Sequence, residues 1–192
     1  MAPGPGFYVL TETLGSDRER DPEAFESVLG EAFEAGLLED AVIAKSDAEA
    51  RALWDVRDGM AAALSALPDA VGFDISLAVS DMKDLLAELM AALAHVPGAT
   101  VLIGGHLGDG NLHLAVAGSE GESAKPVIER AVYEHIGAIG GSVSAEHGIG
   151  MAKRDFLRQS RCEAEIATMR ALKATLDPHG ILCPGRIFEM KG

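Results

Sequence analysis

The chain has 192 residues, with 30 acidic side chains against 16 basic ones and a formal net charge of −14. It is long enough to bury a proper core, and its charge argues against a nucleic-acid partner, whose phosphates such a surface would repel. Cys162 and Cys183 are its two cysteines and lack Cys-x-x-Cys spacing, no apolar run approaches the roughly 18 residues of a membrane span, and Met1-Ala2-Pro3-Gly4-Pro5-Gly6 lacks the regions of a signal peptide, so a soluble cytoplasmic protein without structural disulfides is expected.

In chain order, Phe7 to Thr13 reads as a first strand after the Pro/Gly leader. Asp21-Pro22-Glu23 places Asp at an N-cap and Pro at the first helical position, and the helix should run to about Ala35, where Gly36 stops it. Asp40 to Ala44 reads as a second strand. Asp47 caps a helix carrying Leu53, Trp54, Val56, Met60 and Leu64 and ending before Pro68. Val71 to Val79 is expected as a strand, followed by a helix capped by Ser80 or Asp81 and running to His95. Ala99 to Ile103 is apolar and largely β-branched, Asn111 to Val116 alternates, and both read as strands. Ser123 to Ile139 is helical, Ser142 to Ala145 is a short extended piece, and Glu163 to Leu176 is a final helix ended by Asp177-Pro178. The basic cluster from Lys153-Arg154 to Arg158 and Arg161 is read as a solvated helix face. Such alternation allows a parallel α/β sheet or an α+β layer. Short loops and the hairpin favour the α+β class, an antiparallel sheet with helices packed on one side.

Three of the six histidines and one glutamate fall in two short blocks, Gly104-Gly105-His106-Leu107-Gly108-Asp109-Gly110-Asn111-Leu112-His113 and Ser142-Val143-Ser144-Ala145-Glu146-His147-Gly148. Leu107-Gly108-Asp109-Gly110 suits a tight hairpin needing positive φ. If those four residues are the loop, His106 pairs with Asn111 and lies diagonally from His113 on the same sheet face. Diagonal Cβ atoms are about 7–8 Å apart, a span two imidazoles can bridge by converging on one ion at roughly 2.0–2.1 Å each. The spacing equally allows an ordinary Asp-Gly hairpin with two unrelated histidines. Glu146 and His147 add an adjacent acid and imidazole among small residues, where one can ligate and the other move a proton. The glycines near 104–110 do not form Gly-x-Gly-x-x-Gly opening a helix, residues 147–154 lack a phosphate loop, and no nucleophile elbow surrounds Ser142 or Ser144.

These two blocks, followed by Asp177-Pro178-His179-Gly180-Ile181-Leu182-Cys183-Pro184-Gly185, resemble the C-terminal substrate domain of FAD-linked 2-hydroxy-acid dehydrogenases of the vanillyl-alcohol-oxidase superfamily. Leu53-Trp54-Asp55-Val56-Arg57 and Phe73-Asp74-Ile75-Ser76-Leu77 extend the likeness over nearly the whole chain, and Gly141 to Asp155 looks most like the D-2-hydroxyglutarate type. The resemblance implies an antiparallel α+β domain with ferredoxin-like elements. It implies His106, His113 and Glu146 as ligands of a divalent metal, zinc first and manganese or iron as alternatives. It implies His147 as the base that takes the substrate's hydroxyl proton while hydride passes to FAD, and Arg57 as the group holding the substrate carboxylate. Asn111, in the same loop, is expected to bind substrate and fix one of the histidines.

Four positions depart from that pattern. A threonine and a lysine of the D-2-hydroxyglutarate type would fall at Ala61 and Gly72, an asparagine at Ala115, and Cys183 stands where asparagine is usual. The loss of three polar groups argues for a smaller or more apolar 2-hydroxy acid than a dicarboxylate. The flavin-binding domain of the family is also expected to be missing, so the chain should need a flavin-binding domain or subunit as partner and should not turn over alone. An apolar face left by that domain would favour a homo-oligomer. The rival reading is a non-catalytic metal-binding or docking subunit, or an inactive remnant.

Overall fold

A computed structural model of the chain describes residues 6–17 and 19–189. The leader over residues 1–5 and the side chain of Leu64, expected on an apolar helix stripe, lie outside the described residues. The chain divides into two compact units, Met1–Ala61 and Ala62–Gly192.

The first unit is helical. Helix α1 spans Arg20–Glu34, and α2, Asp47–Ala66, runs through the end of the unit. The cap of α1 differs from expectation: Asp17, not Asp21, accepts the N–H groups of Glu19 and Arg20 at 3.1 and 3.0 Å. Asp21 lies inside the first turn, where a carboxylate suits the positive end of the helix dipole. Gly36 ends α1 as expected, at φ 70°, a left-handed conformation that favours glycine. Ser46 supplies the side-chain acceptor for Glu49 N–H at the start of α2. The strands expected over 7–13 and 40–44 do not form. A strand exists through its ladder to a neighbour, neither stretch is in one, and Phe7, Val9 and Val42 are exposed.

The second unit holds β1 (Val71–Ser76), α3 (Met82–Leu93), β2 (Thr100–His106), β3 (Asn111–Ala117), α4 (Lys125–Ala138) and α5 (Glu163–Leu176). The strands form an antiparallel sheet in the order β1-β3-β2. The expected Ser142–Ala145 extension appears as a single antiparallel bridge between Ser142 and Ser76. Strand, helix, strand, strand, helix and bridging segment give a ferredoxin-like succession whose last strand is reduced to one bridge.

Alternation divides the sheet into two faces. Val71, Phe73 and Ile75 of β1 and Leu112, Leu114 and Val116 of β3 share the buried face. Against them pack Leu85, Leu89 and Leu93 of α3 and Ile128, Val132 and Ile136 of α4, spaced to lie on one side of each helix. β1 ends at Ser76, earlier than expected, because Leu77 N–H turns to Gly110 O at 3.1 Å. Gly110, at φ 75°, closes the hairpin, and a Cβ there would lie 2.1 Å from Leu77 O. Among the described residues no helix is long and apolar enough to cross a membrane.

Candidate metal centre

The sheet face turned away from α3 and α4 carries the polar residues. One rung pairs Asp74 of β1 with His113 of β3 and Gly104 of β2; the next pairs Ser76, Asn111 and His106. His106 therefore pairs with Asn111 and stands diagonally from His113, as the hairpin spacing predicts. Their rings meet edge-on, 5.4 Å between centroids.

The second block reaches this face along β1. Ser142 and Ser76 exchange backbone hydrogen bonds at 2.7 and 3.1 Å, and Ala145 N–H donates to Asp74 O at 3.1 Å. Those bonds carry the next two residues over the sheet, and Glu146 Oε1 comes to 3.5 Å from His106 Nε2. One ligand atom from each of His106, His113 and Glu146 lies within 4.8 Å of the others, a set of two imidazoles and a carboxylate that suits a divalent ion. Asn111, expected to fix one of the histidines, is buried, and its Nδ2 donates instead to Glu146 Oε1 at 2.6 Å. A carboxylate only accepts, so this contact turns the amide nitrogen toward it.

His147 is 67% exposed, with its ring stacked on that of His113 at 6.0 Å. Its Nδ1 lies 3.7 Å from Asp74 Oδ2. Arg57 belongs to the first unit, on α2, where its Nη1 donates to Asp58 Oδ1 at 3.0 Å. The second unit thus brings together His106, His113, Glu146, His147 and Asn111, and Arg57 is positioned by the first.

Sequence reading assigned no role to two residues at this centre. Asp74, 1% exposed, accepts at Oδ2 from the N–H groups of Glu146 and His147 at 3.0 and 2.8 Å and from Ser144 Oγ at 3.3 Å. Burial works to raise its pKa, but the two N–H groups and nearby Lys153 outweigh it and hold the carboxyl below its ordinary range. Arg158 and Arg161 are exposed, as the reading of their cluster as a solvated face has it, but Lys153 departs from it: its side chain is 12% exposed, with Nζ 3.5 Å from Asp74 Oδ2 and 2.9 Å from Ser144 Oγ. Burial pushes the Lys153 pKa down, and Asp74 opposes that shift. An acid inside an apolar strand such as Val71-Gly72-Phe73-Asp74-Ile75 was the available signal, because a buried charge demands partners. Lys153 carried no such signal, since only the turn of the chain after Gly150 brings it inward.

Residues 2–187 match the family described as FAD linked oxidases, C-terminal domain. The chain is 38% identical over 183 residues to D-2-hydroxyglutarate dehydrogenase, mitochondrial, of Arabidopsis thaliana. It is 40% identical over 184 residues to the protein of the same name from Bos taurus, and 37% identical over 190 residues to D-2-hydroxyglutarate dehydrogenase of Xanthomonas citri. Each match covers 95% of this chain, but only 32%, 34% and 40% of the respective relative.

Proposed function

The chain belongs to the C-terminal domain family of the FAD linked oxidases, and on that premise we propose that it is the substrate- and metal-holding part of a dehydrogenase oxidising a D-2-hydroxy acid to a 2-oxo acid. The observation that carries the reading is the convergence of His106, His113 and Glu146 on the open face of the sheet. Two imidazoles and a carboxylate would hold zinc, with manganese or iron as alternatives. Such an ion supplies Lewis acidity, lowering the pKa of a bound 2-hydroxyl. FAD, as hydride acceptor, is assigned to a flavin-binding domain or subunit outside these residues.

The chain's own residues then divide the work. His147 takes the hydroxyl proton: its Nδ1 is turned to Asp74, which leaves Nε2 for the substrate, and its exposure keeps it reachable. An imidazole is apt because its unperturbed pKa of about 6.5 lets it accept a proton near neutrality. Asn111 steadies Glu146 through the amide contact, and Arg57 receives the substrate carboxylate.

The proposed substrate class rests on the neighbouring rung. Gly72 and Ala115, two of the positions that lack the polar groups of the D-2-hydroxyglutarate type, are direct partners across β1 and β3, with Leu102 on the far side. A cavity of about 180 Å³ at Gly72 is lined by Asp69, Glu122 and Glu129 against Lys125 and Lys153. That lining is net negative, and neither Gly72 nor Ala115 offers a polar side chain to a second carboxylate, so the reading is a monocarboxylic 2-hydroxy acid with a short or apolar side chain.

The test is metal content per chain, by mass spectrometry, on protein purified without chelator or affinity metal, together with its visible spectrum. Near-stoichiometric metal without flavin absorbance is the expected result. A metal-free chain that also fails to take up zinc on titration would overturn the reading.

A further inference from the structure

Asp74 is the most buried charged group at the centre, and its two oxygens are used unequally. Oδ2 is occupied by the N–H groups of Glu146 and His147, by Ser144 Oγ and by the Lys153 ammonium. Oδ1 is buried with no hydrogen-bond partner among the described residues, yet faces His113 Nδ1 across 3.9 Å. A buried acceptor left unmatched is unusual and calls for a donor. His113 can provide one, because a neutral imidazole carries its proton on either nitrogen and the choice is set by the hydrogen bond available to it.

We propose that Asp74 is the positioning residue of the centre, taking the Nδ1–H of His113 on Oδ1 while clamping the backbone of Glu146 and His147 on Oδ2. Its functional meaning rests on the metal reading above. With the Nδ1 proton directed to Asp74, His113 presents Nε2 as a bare lone pair to the ion. With the two N–H groups held, the ligand Glu146 and the base His147 keep a fixed relation to that ring. Metal-bound histidines commonly use a carboxylate in this way, and loss of the partner typically weakens metal binding by about 10–100-fold.

Asp74, Glu146 and His147 also form a second group with ligand atoms within 4.8 Å of one another. Lys153 argues against a second cation there, because its ammonium already stands 3.5 Å from Oδ2, and a further positive charge would be repelled in a site shielded from water. Asp74 therefore acts through His113 and the Glu146–His147 backbone rather than as a ligand.

The deciding experiment uses the metal-free 192-residue chain at pH 8, where long-range ¹⁵N–¹H spectra of the imidazoles report which nitrogen carries the proton. His113 is expected as the Nδ1–H tautomer, with Nε2 unprotonated. An Nε2–H tautomer, or rapid averaging of the two, overturns the proposal. The paired variants D74N and D74N/K153M, the second relieving the unpaired lysine, should shift that tautomer and weaken Zn²⁺ binding by about 10–100-fold in a chelator competition. Unchanged Zn²⁺ affinity in a folded variant also overturns the role. If the unsubstituted chain binds no Zn²⁺ at all, the metal reading fails, and the tautomer still decides whether Asp74 orients His113.

Discussion

His106 and His147 stand on one small patch of the protein, but their surroundings differ, as do the roles proposed for them. His106 faces Glu146 and His113, while His147 is exposed and lies over His113. Exchange of His106 for Ala is expected to take bound metal from near one per chain to near zero with the circular dichroism spectrum unchanged, since a partly exposed ring contributes little to the core. Exchange of His147 for Ala should spare the metal and, with a flavin partner supplied, reduce turnover by about 10²–10⁴-fold, the usual worth of a general base. Metal loss in the second variant, or retention in the first, would reverse the two assignments. The proposed selectivity also belongs to single residues, where Gly72 pairs with Ala115. In the metal-loaded chain, calorimetry should find D-lactate bound in preference to D-2-hydroxyglutarate. The paired exchange G72K/A115N should improve 2-hydroxyglutarate binding by about tenfold, roughly 1.4 kcal/mol. A chain that already prefers the dicarboxylate contradicts the substrate assignment.

Among the elements, α5 and the segment after it depend on one carboxylate. Asp177 accepts from the N–H groups of Ile181 and Leu182 at 2.9 and 3.0 Å and from Lys173 Nζ, which also donates to Leu182 O. The Lys173 hydrogen bond is the largest influence on its carboxyl; with the two N–H groups it outweighs the opposing effect of burial and holds the pKa below the ordinary range. A carboxylate whose pKa is lowered by folding stabilises the folded form above its unfolded value of about 3.9 and loses that effect as the pH falls through the folded value. Hydrogen exchange of the Ile181 and Leu182 amides, corrected for intrinsic rates, should therefore stay slow down to about pH 4 and accelerate below it. Equal protection at lower pH would show that something other than Asp177 holds the segment. The capping groups were less legible than the helices themselves. The periodicity of α1 and α2 marks them plainly, but whether Asp17 or Asp21 closes the first turn depends on how the chain enters it, a matter of two or three backbone angles.

Across the whole molecule, the two units differ in how much they bury. Every buried residue among those described lies in the second unit, while Phe7, Leu14, Phe33 and Leu37 of the first are exposed. The 192-residue chain alone should show no flavin-coupled oxidation of any 2-hydroxy acid, with activity appearing only when a flavin domain is added. Turnover by the chain alone would sink that expectation.

The sequence by itself determined the helices and the hairpin, because each is written in local spacing. Helical periodicity is local, Leu107 to Gly110 defines a turn over four residues, and the turn places His106 and His113 on one face through strand alternation alone. Only the tertiary structure decided which extended stretches are strands, because a ladder needs a neighbour and residues 7–13 and 40–44 are in none. It also decided that Asp74 and Lys153, 79 positions apart, share one buried site. Contacts at that separation arise from how β1 and the segment after Ser142 pack together, and no local pattern encodes them.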